Sequence, residues 1–309
     1  MPDVAQAPAA TYPVTRSDVA VLVEGTRLAV WWYEPDGAPA PGPAVVLAHG
    51  LGGVRDGELE RYARTFCAAG FRVALFDYRT FGSSDGWPRQ VLSVEGQQAD
   101  WRAVVAYARA ATTVDAGRVG LWGSSFSGGH VQALAARDHR LGAVVAQAPL
   151  ADAKADPSPL GHTLRLVRSA LVDLGRKARG RPPYYIGLSG HPGDLAVMTT
   201  PDALGEGTRL QPADGDTTWE NRLAARSLWE MKDFRPGLDA GRIRCPILYC
   251  LADADLVTPV EPVLEAAARA PRSELVRYPI GHFEIYRDPW FSRVAGDQAA
   301  FFARHLGLA

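Results

Sequence analysis

The residues of this chain best suited to chemistry gather behind a short apolar run. Gly123-Ser124-Ser125-Phe126-Ser127-Gly128-Gly129 follows Arg118-Val119-Gly120-Leu121-Trp122 and opens an Ala-rich stretch, Val131 to Arg137. A serine hydroxyl is a poor nucleophile unless its backbone is forced into a sharp strand-to-helix turn. That turn exposes the oxygen, aims amide N–H groups at the reacting carbonyl, and admits only small residues two before and two after the serine. Centring it on Ser125 puts Gly123 at the first crowded position and Ser127 at the second. Glycine is usual at the second, so Ser127 departs from the pattern while remaining small. Ser127 is itself the competing nucleophile. The apolar run ends at Gly123 and the turn should follow within two residues, which favours Ser125. A Gly/Ser-rich loop without chemistry is the plain alternative, and the partners of the serine decide between the two.

A serine nucleophile needs a base, a group that orients the base, and donors for the oxyanion. Of seven histidines, His282 lies in Tyr278-Pro279-Ile280-Gly281-His282-Phe283-Glu284, just after the last strand-like run. In a parallel sheet the loops leaving the C-terminal ends of the strands share one rim, so His282 can reach the serine loop. His130, His139 and His305 read as structural, and His162 and His191 as solvated. For the orienting acid, Ile247–Leu251 runs into Ala252-Asp253-Ala254-Asp255-Leu256-Val257-Thr258-Pro259. Both aspartates stand on the correct rim. Asp255 is preferred for its spacing D-x-V-x-P, in which the proline starts the next helix, and Asp253 is left as a loop cap or a backup acid. For the oxyanion, Ala44–Ala48 ends in His49-Gly50-Leu51-Gly52-Gly53, where glycines allow close backbone approach. The N–H groups of Leu51 and Phe126 are the natural donor pair. A dinucleotide-binding loop would need glycine at Arg55.

The elements that must position these groups follow from periodicity. Val19–Val23 and Arg27–Tyr33 form a hairpin across Glu24-Gly25-Thr26. After a Pro/Gly/Ala linker, solid apolar runs alternate with helical patterns. Ala44–Ala48, Arg72–Phe76, Val119–Trp122, Ala143–Ala146, Ile247–Leu251 and Leu275–Tyr278 read as parallel strands buried on both faces. Glu58–Ala69, Glu95–Ala111, Gly128–Arg137, Pro262–Ala270 and Trp290–His305 read as helices. The expectation is an α/β fold with an eight-stranded, mostly parallel, doubly wound sheet. About a hundred residues between Ala146 and Ile247 break this rhythm, with helix patterns at Leu164–Lys177 and Thr218–Met231. A structureless loop of that length is improbable, so the expected organisation is a loose leader over residues 1–17, a core over 18–150 and 242–309, and an inserted helical lid over 151–241. The lid helix offers Leu164, Leu166, Val167, Leu171 and Leu174 as an apolar face. That face suits a substrate pocket or a homodimer equally.

Composition narrows the function classes. The 309 residues are 47 % hydrophobic and 22 % charged with a net charge of −1, so neither a nucleic acid nor an anionic membrane is an expected partner. No apolar run approaches a membrane span. Cys67, Cys245 and Cys250 are odd in number, and the last two flank a strand that separates them by about 16 Å, too far for a bridge. Free thiols and a leader without signal-peptide features point to the cytoplasm. There is no H-E-x-x-H, C-x-x-C pair or P-loop, so no metal or cofactor is expected.

Serine, acid and histidine in that chain order resemble the α/β-hydrolase superfamily, from about Val19 to Leu306. Phe76-Asp77-Tyr78-Arg79-Thr80-Phe81-Gly82-Ser83-Ser84-Asp85-Gly86 is similar to the D-x-R-G-x-G-x-S segment of these enzymes. Leu121 to His130 is similar to hydrolases related to acetylxylan esterases, X-Pro peptidases and polyketide-transferring hydrolases, in which serine commonly replaces the second elbow glycine. The resemblance implies an α/β-hydrolase fold with a lid and a cofactor-independent serine hydrolase acting on the ester or thioester of a small-molecule acyl substrate. An acyltransferase of polyketide metabolism would use the same three residues. A peptidase would call for a clustered acidic clamp, and none is evident. Serine at the nucleophile argues against haloalkane dehalogenase, epoxide hydrolase and dienelactone hydrolase chemistry.

Overall fold

A computed structural model describes residues 11–155, 158–201, 203 and 217–308. The chain opens with β1 (Val14–Val23) and β2 (Thr26–Pro35), an antiparallel pair turned by Glu24 and Gly25, both at positive φ. Val14 pairs with Pro35, so residues 14–17 of the expected leader belong to the sheet. Residues 1–10 lie outside the described residues.

The apolar runs form β3 (Gly42–Ala48), β4 (Arg72–Phe76), β5 (Val114–Ser124), β6 (Ala143–Gln147), β10 (Ile247–Ala252) and β11 (Ser273–Tyr278). With β1 and β2 they make one eight-stranded sheet in the order β1-β2-β4-β3-β5-β6-β10-β11, parallel from β4 onward. Alternate residues of each central strand enter opposite cores. Ala44, Val46 and Ala48 pack with Trp101 and Val104 of α2 (Val94–Ala110) and with Val131 and Leu134 of α3 (Phe126–Ala135). Val45 and Leu47 pack with Tyr62 and Phe66 of α1 (Leu59–Ala68) and with aromatic residues of the C-terminal helix, Trp290–Leu306. This double coverage explains the unbroken apolar runs. β11 departs from it: as an edge strand it leaves Leu275 40 % exposed.

Strand order reverses between β3 and β5. The chain leaves β3 to place β4 on one side and returns to place β5 on the other. Such a reversal opens a crevice beyond the carboxyl ends of the two strands, and Gly50-Leu51 and Ser125 lie there.

The insertion is not purely helical. α4 (Leu160–Ala178) covers the first expected helix, but a small sheet follows, in the order β8-β7-β9, of β7 (Tyr185–Ser189), β8 (Ala196–Met198) and β9 (Leu223–Ala224). The helix expected over Thr218–Met231 is replaced by extended chain, β9 and the short α5 (Ser227–Met231). Tertiary hydrogen bonds override the helical pattern there. Asp56 accepts from Thr217 Oγ1 (3.1 Å), Thr218 N (2.9 Å) and Thr218 Oγ1 (2.8 Å), and Asn221 pairs with both backbone groups of Ser189 (2.9 and 3.0 Å). Residues 204–216 lie outside the described residues. The last two helices are α6 (Val260–Arg269) and α7 (Trp290–Leu306). Among the described residues no helix is long and apolar enough to cross a membrane.

Candidate active site

β5 runs to Ser124, Ser125 turns, and α3 starts at Phe126. Ser125 holds φ 58° and ψ −121°, a conformation that side-chain-bearing residues adopt only under constraint. The constraint is visible. The Ser125 N–H donates to Gln147 O at 2.8 Å, and a Cβ on Gly123 would fall 2.3 Å from Ser127 O. Glycine is therefore obligatory at the first crowded position. At the second, Ser127 is fully buried and its hydroxyl meets the Tyr78 hydroxyl at 2.6 Å. Of the two candidate nucleophiles, Ser125 is the one that opens to a cleft.

His282 lies between β11 and the single turn Glu284–Tyr286. Its Nε2 is 3.1 Å from Ser125 Oγ and its Nδ1 is 2.6 Å from Asp255 Oδ2. A carboxylate only accepts, so Nδ1 carries the proton and Nε2 is free to accept one from Ser125. Asp255 Oδ1 accepts from the N–H groups of Val257 (2.8 Å) and Thr258 (2.7 Å), and Oδ2 accepts from Thr258 Oγ1 (2.7 Å). Burial alone would push this carboxyl up. The electrostatic attraction of the neighbouring His282 ring and the hydrogen bonds from His282 and Thr258 outweigh burial and hold it below the usual carboxylate value. Asp253 points elsewhere, to Arg277 Nε at 2.8 Å.

The remaining histidines are placed as follows. His130 is buried against Gln97 Oε1 (2.8 Å), and His305 meets Glu274 (2.8 Å). His139 and His191 are exposed, and His162 is half-buried. His49 Nδ1 donates to Gly50 O at 2.9 Å within its own loop, and burial lowers its pKa to about 4, so the ring is neutral.

Gly50 brings the β3 loop against Ser125: a Cβ there would lie 3.0 Å from Ser125 Cβ. This close approach sets Leu51 beside Ser125, where both residues line two clefts that meet at the hydroxyl. The smaller, about 70 Å³, lies on the His282 side and includes Glu58, Trp219, Phe283 and Tyr286. The larger, about 280 Å³, includes Phe126, Leu150, Val197, Met198, Met231 and Leu256. The expected apolar face of α4 is absent from both. Leu164, Val167 and Leu171 are 60, 43 and 54 % exposed, and α4 buries Ser169, Ala170 and Asp173 instead. Asp173 accepts from Arg226 Nε (2.9 Å) and Nη2 (2.8 Å) and from the N–H groups of Tyr184 and Arg226. A buried ion pair thus seats the helix. The sequence reading missed Thr258, Met198 and Tyr286. Thr258 carries a local signal, a hydroxyl three residues after an aspartate in a turn; the other two become neighbours of the site only through tertiary folding. Among the described residues no group of histidine, cysteine and carboxylate side chains could hold a metal ion.

The family model for the alpha/beta hydrolase fold matches residues 43–289. The quorum-quenching protein AidA of Acinetobacter baumannii is 38 % identical over 294 residues, which cover 94 % of this chain and 96 % of that protein. The polyketide transferase GrgF of a Penicillium species is 30 % identical over 206 residues, 66 % of each chain. A crystal structure of GrgF superposes with a TM-score of 0.79 at 24 % identity, over 96 % of this chain and all of that one. The thiohydrolase AneE of Aspergillus aculeatus is 36 % identical over 140 residues, 45 % of this chain and 43 % of that protein.

Proposed function

This chain belongs to the α/β-hydrolase family, and on that premise we propose that it is a serine hydrolase cleaving an ester or thioester through an acyl-enzyme on Ser125. The observation that carries the reading is the hydrogen-bonded line Asp255–His282–Ser125, at 2.6 and 3.1 Å, ending where two clefts meet.

Ser125 Oγ attacks the substrate carbonyl and gives its proton to His282 Nε2. Asp255 holds the ring in the required tautomer and stabilises the imidazolium. The N–H groups of Leu51 and Phe126 receive the oxyanion. Collapse of the tetrahedral intermediate breaks the bond to the leaving group, which takes the proton from Nε2. Water then attacks the acyl-enzyme with His282 as base, and the acid departs. The chemistry calls for no cofactor.

The same proton transfer assigns the clefts. The leaving group must sit beside Nε2, in the smaller cleft, which sends the acyl group to the larger one. The thiohydrolase name of AneE supports thioesters as substrates. A cytoplasmic location is part of the proposal, supported by three free, buried thiols.

A fluorophosphonate probe should label the wild-type protein at Ser125, and Ser125→Ala should abolish labelling while Ser127→Ala retains it. The reverse pattern would move the nucleophile. A second reading, acyl transfer, is favoured by the name of GrgF. It predicts that an added alcohol or amine, rather than water, captures the acyl group, as mass spectrometry of the products would reveal.

A further inference from the structure

Behind Ser125 runs a chain of buried hydrogen bonds whose direction is set by its first member. Trp122 Nε1 can only donate, and it donates to Gln298 Oε1 at 2.8 Å. Gln298 is left with its amide nitrogen for Gln147 Oε1, at 2.8 Å. Gln147 in turn offers its amide nitrogen to Ser124 Oγ, at 3.1 Å. Ser124 accepts that bond and makes its other contact with the Tyr286 hydroxyl, at 2.5 Å. Ser124, Gln147 and Gln298 are fully buried, and Tyr286 is 4 % exposed.

The two ends of the last bond occupy telling places. Ser124 immediately precedes the nucleophile, and Tyr286 lies four residues after His282 in the turn Glu284–Tyr286. α1 fixes the same turn from behind: Tyr62 donates to Ile285 O at 2.7 Å and Arg61 Nη1 to Tyr286 O at 3.2 Å. The Ser124–Tyr286 bond therefore joins the loop carrying the base to the elbow carrying the nucleophile. Burial pushes the Tyr286 phenol up to about 12, so it stays protonated wherever an imidazole works as a base.

We propose that Ser124 and Tyr286 form a clamp that sets the separation of the Ser125 hydroxyl from the His282 ring. The clamp rests on the serine-hydrolase reading above. Both are positioning residues acting through His282 and Ser125. A misplacement of about 1 Å between reacting groups costs on the order of 10²-fold in rate.

Steady-state hydrolysis of p-nitrophenyl butyrate tests it. Tyr286→Phe and Ser124→Ala should each lower kcat by about 10- to 100-fold with KM held within about twofold. The double variant should lose no more than the worse single one, because Ser124→Ala, which also strands the Gln147 amide, already removes the bond that Tyr286→Phe removes. Tyr249→Phe, which removes an equally buried phenol bonded to Gln132 at 3.3 Å, is the control and should keep kcat. If Tyr286→Phe does not fold, Ser124→Ala carries the test alone. Fluorophosphonate labelling separates the two levels. An unlabelled wild type overturns the serine-hydrolase reading and the clamp with it. A labelled wild type, with kcat unchanged in the folded variants, overturns the clamp alone. So do losses that add in the double variant, or a rise in KM in place of the fall in kcat.

Discussion

On the rim of the large sheet, Ser125, Asp255 and His282 leave the ends of β5, β10 and β11, two of them central strands buried on both faces. In the insertion above that rim, α4 turns Leu164, Val167 and Leu171 to solvent and is seated by Asp173 on Arg226. Apolar residues do opposite things in the two regions. In the sheet they place the strands, and the strands place the chemistry. In the insertion a polar pair does the placing, and the cleft takes its apolar lining from β8 and α5, through Val197, Met198 and Met231. Helical spacing of leucines therefore says which residues share a face, and not what that face meets.

Four measurements put this contrast to the test. The largest effect belongs to the rim. Asp255→Asn should lower kcat by about 10⁴-fold, whereas Asp253→Asn, which loses only a surface partner, should leave kcat unchanged. Equal losses on p-nitrophenyl esters would leave the orienting acid unassigned. Next comes the seat of the insertion. Asp173→Ala strands the Arg226 guanidinium and should cost about 3–5 kcal/mol in denaturant unfolding. A loss below about 1 kcal/mol would mean that other contacts hold α4.

The third effect depends on pH. Burial lowers His49 to about 4 and His130 to about 3 from an ordinary 6.5. Between those values the unfolded chain binds more protons than the folded one. Stability present above pH 6.5 is then lost as pH falls, by up to about 1.4 kcal/mol per unit for each histidine. Asp77 and Asp100 oppose this, since burial raises both to about 6. Their contribution is present below about pH 4 and lost as pH rises through 6. His130→Gln should therefore flatten the fall of the urea midpoint between pH 6.5 and 5; an unchanged slope would place the charge elsewhere.

The smallest effect separates lining from ornament. Met231→Ala should raise KM for octanoyl over acetyl esters by about tenfold. Leu164→Glu should leave KM alone and change stability by no more than about 0.5 kcal/mol. A KM change at Leu164 would bring α4 back into the cleft.

The sheet was legible because each central strand is covered twice and its apolar run is continuous. Ser125 and His282 were legible because chain order and rim position constrain them together. That Asp255 rather than Asp253 meets the His282 ring was legible only in part, since the Thr258 hydroxyl bond and the His282 Nδ1 contact arise on folding. The Thr218–Met231 region was misjudged because Asp56, more than a hundred residues earlier, captures its threonines. Periodicity carries no trace of such partners. Ser124 and Tyr286 were equally invisible, being 162 residues apart.

The insertion departs from the sheet after Gln147 and rejoins it at Ile247, between two neighbouring strands that pair directly. Their pairing does not pass through the intervening chain. Evolution could lengthen, shorten or rewrite that excursion while every strand kept its register, so that the walls of the clefts change and the rim beneath them stays in place.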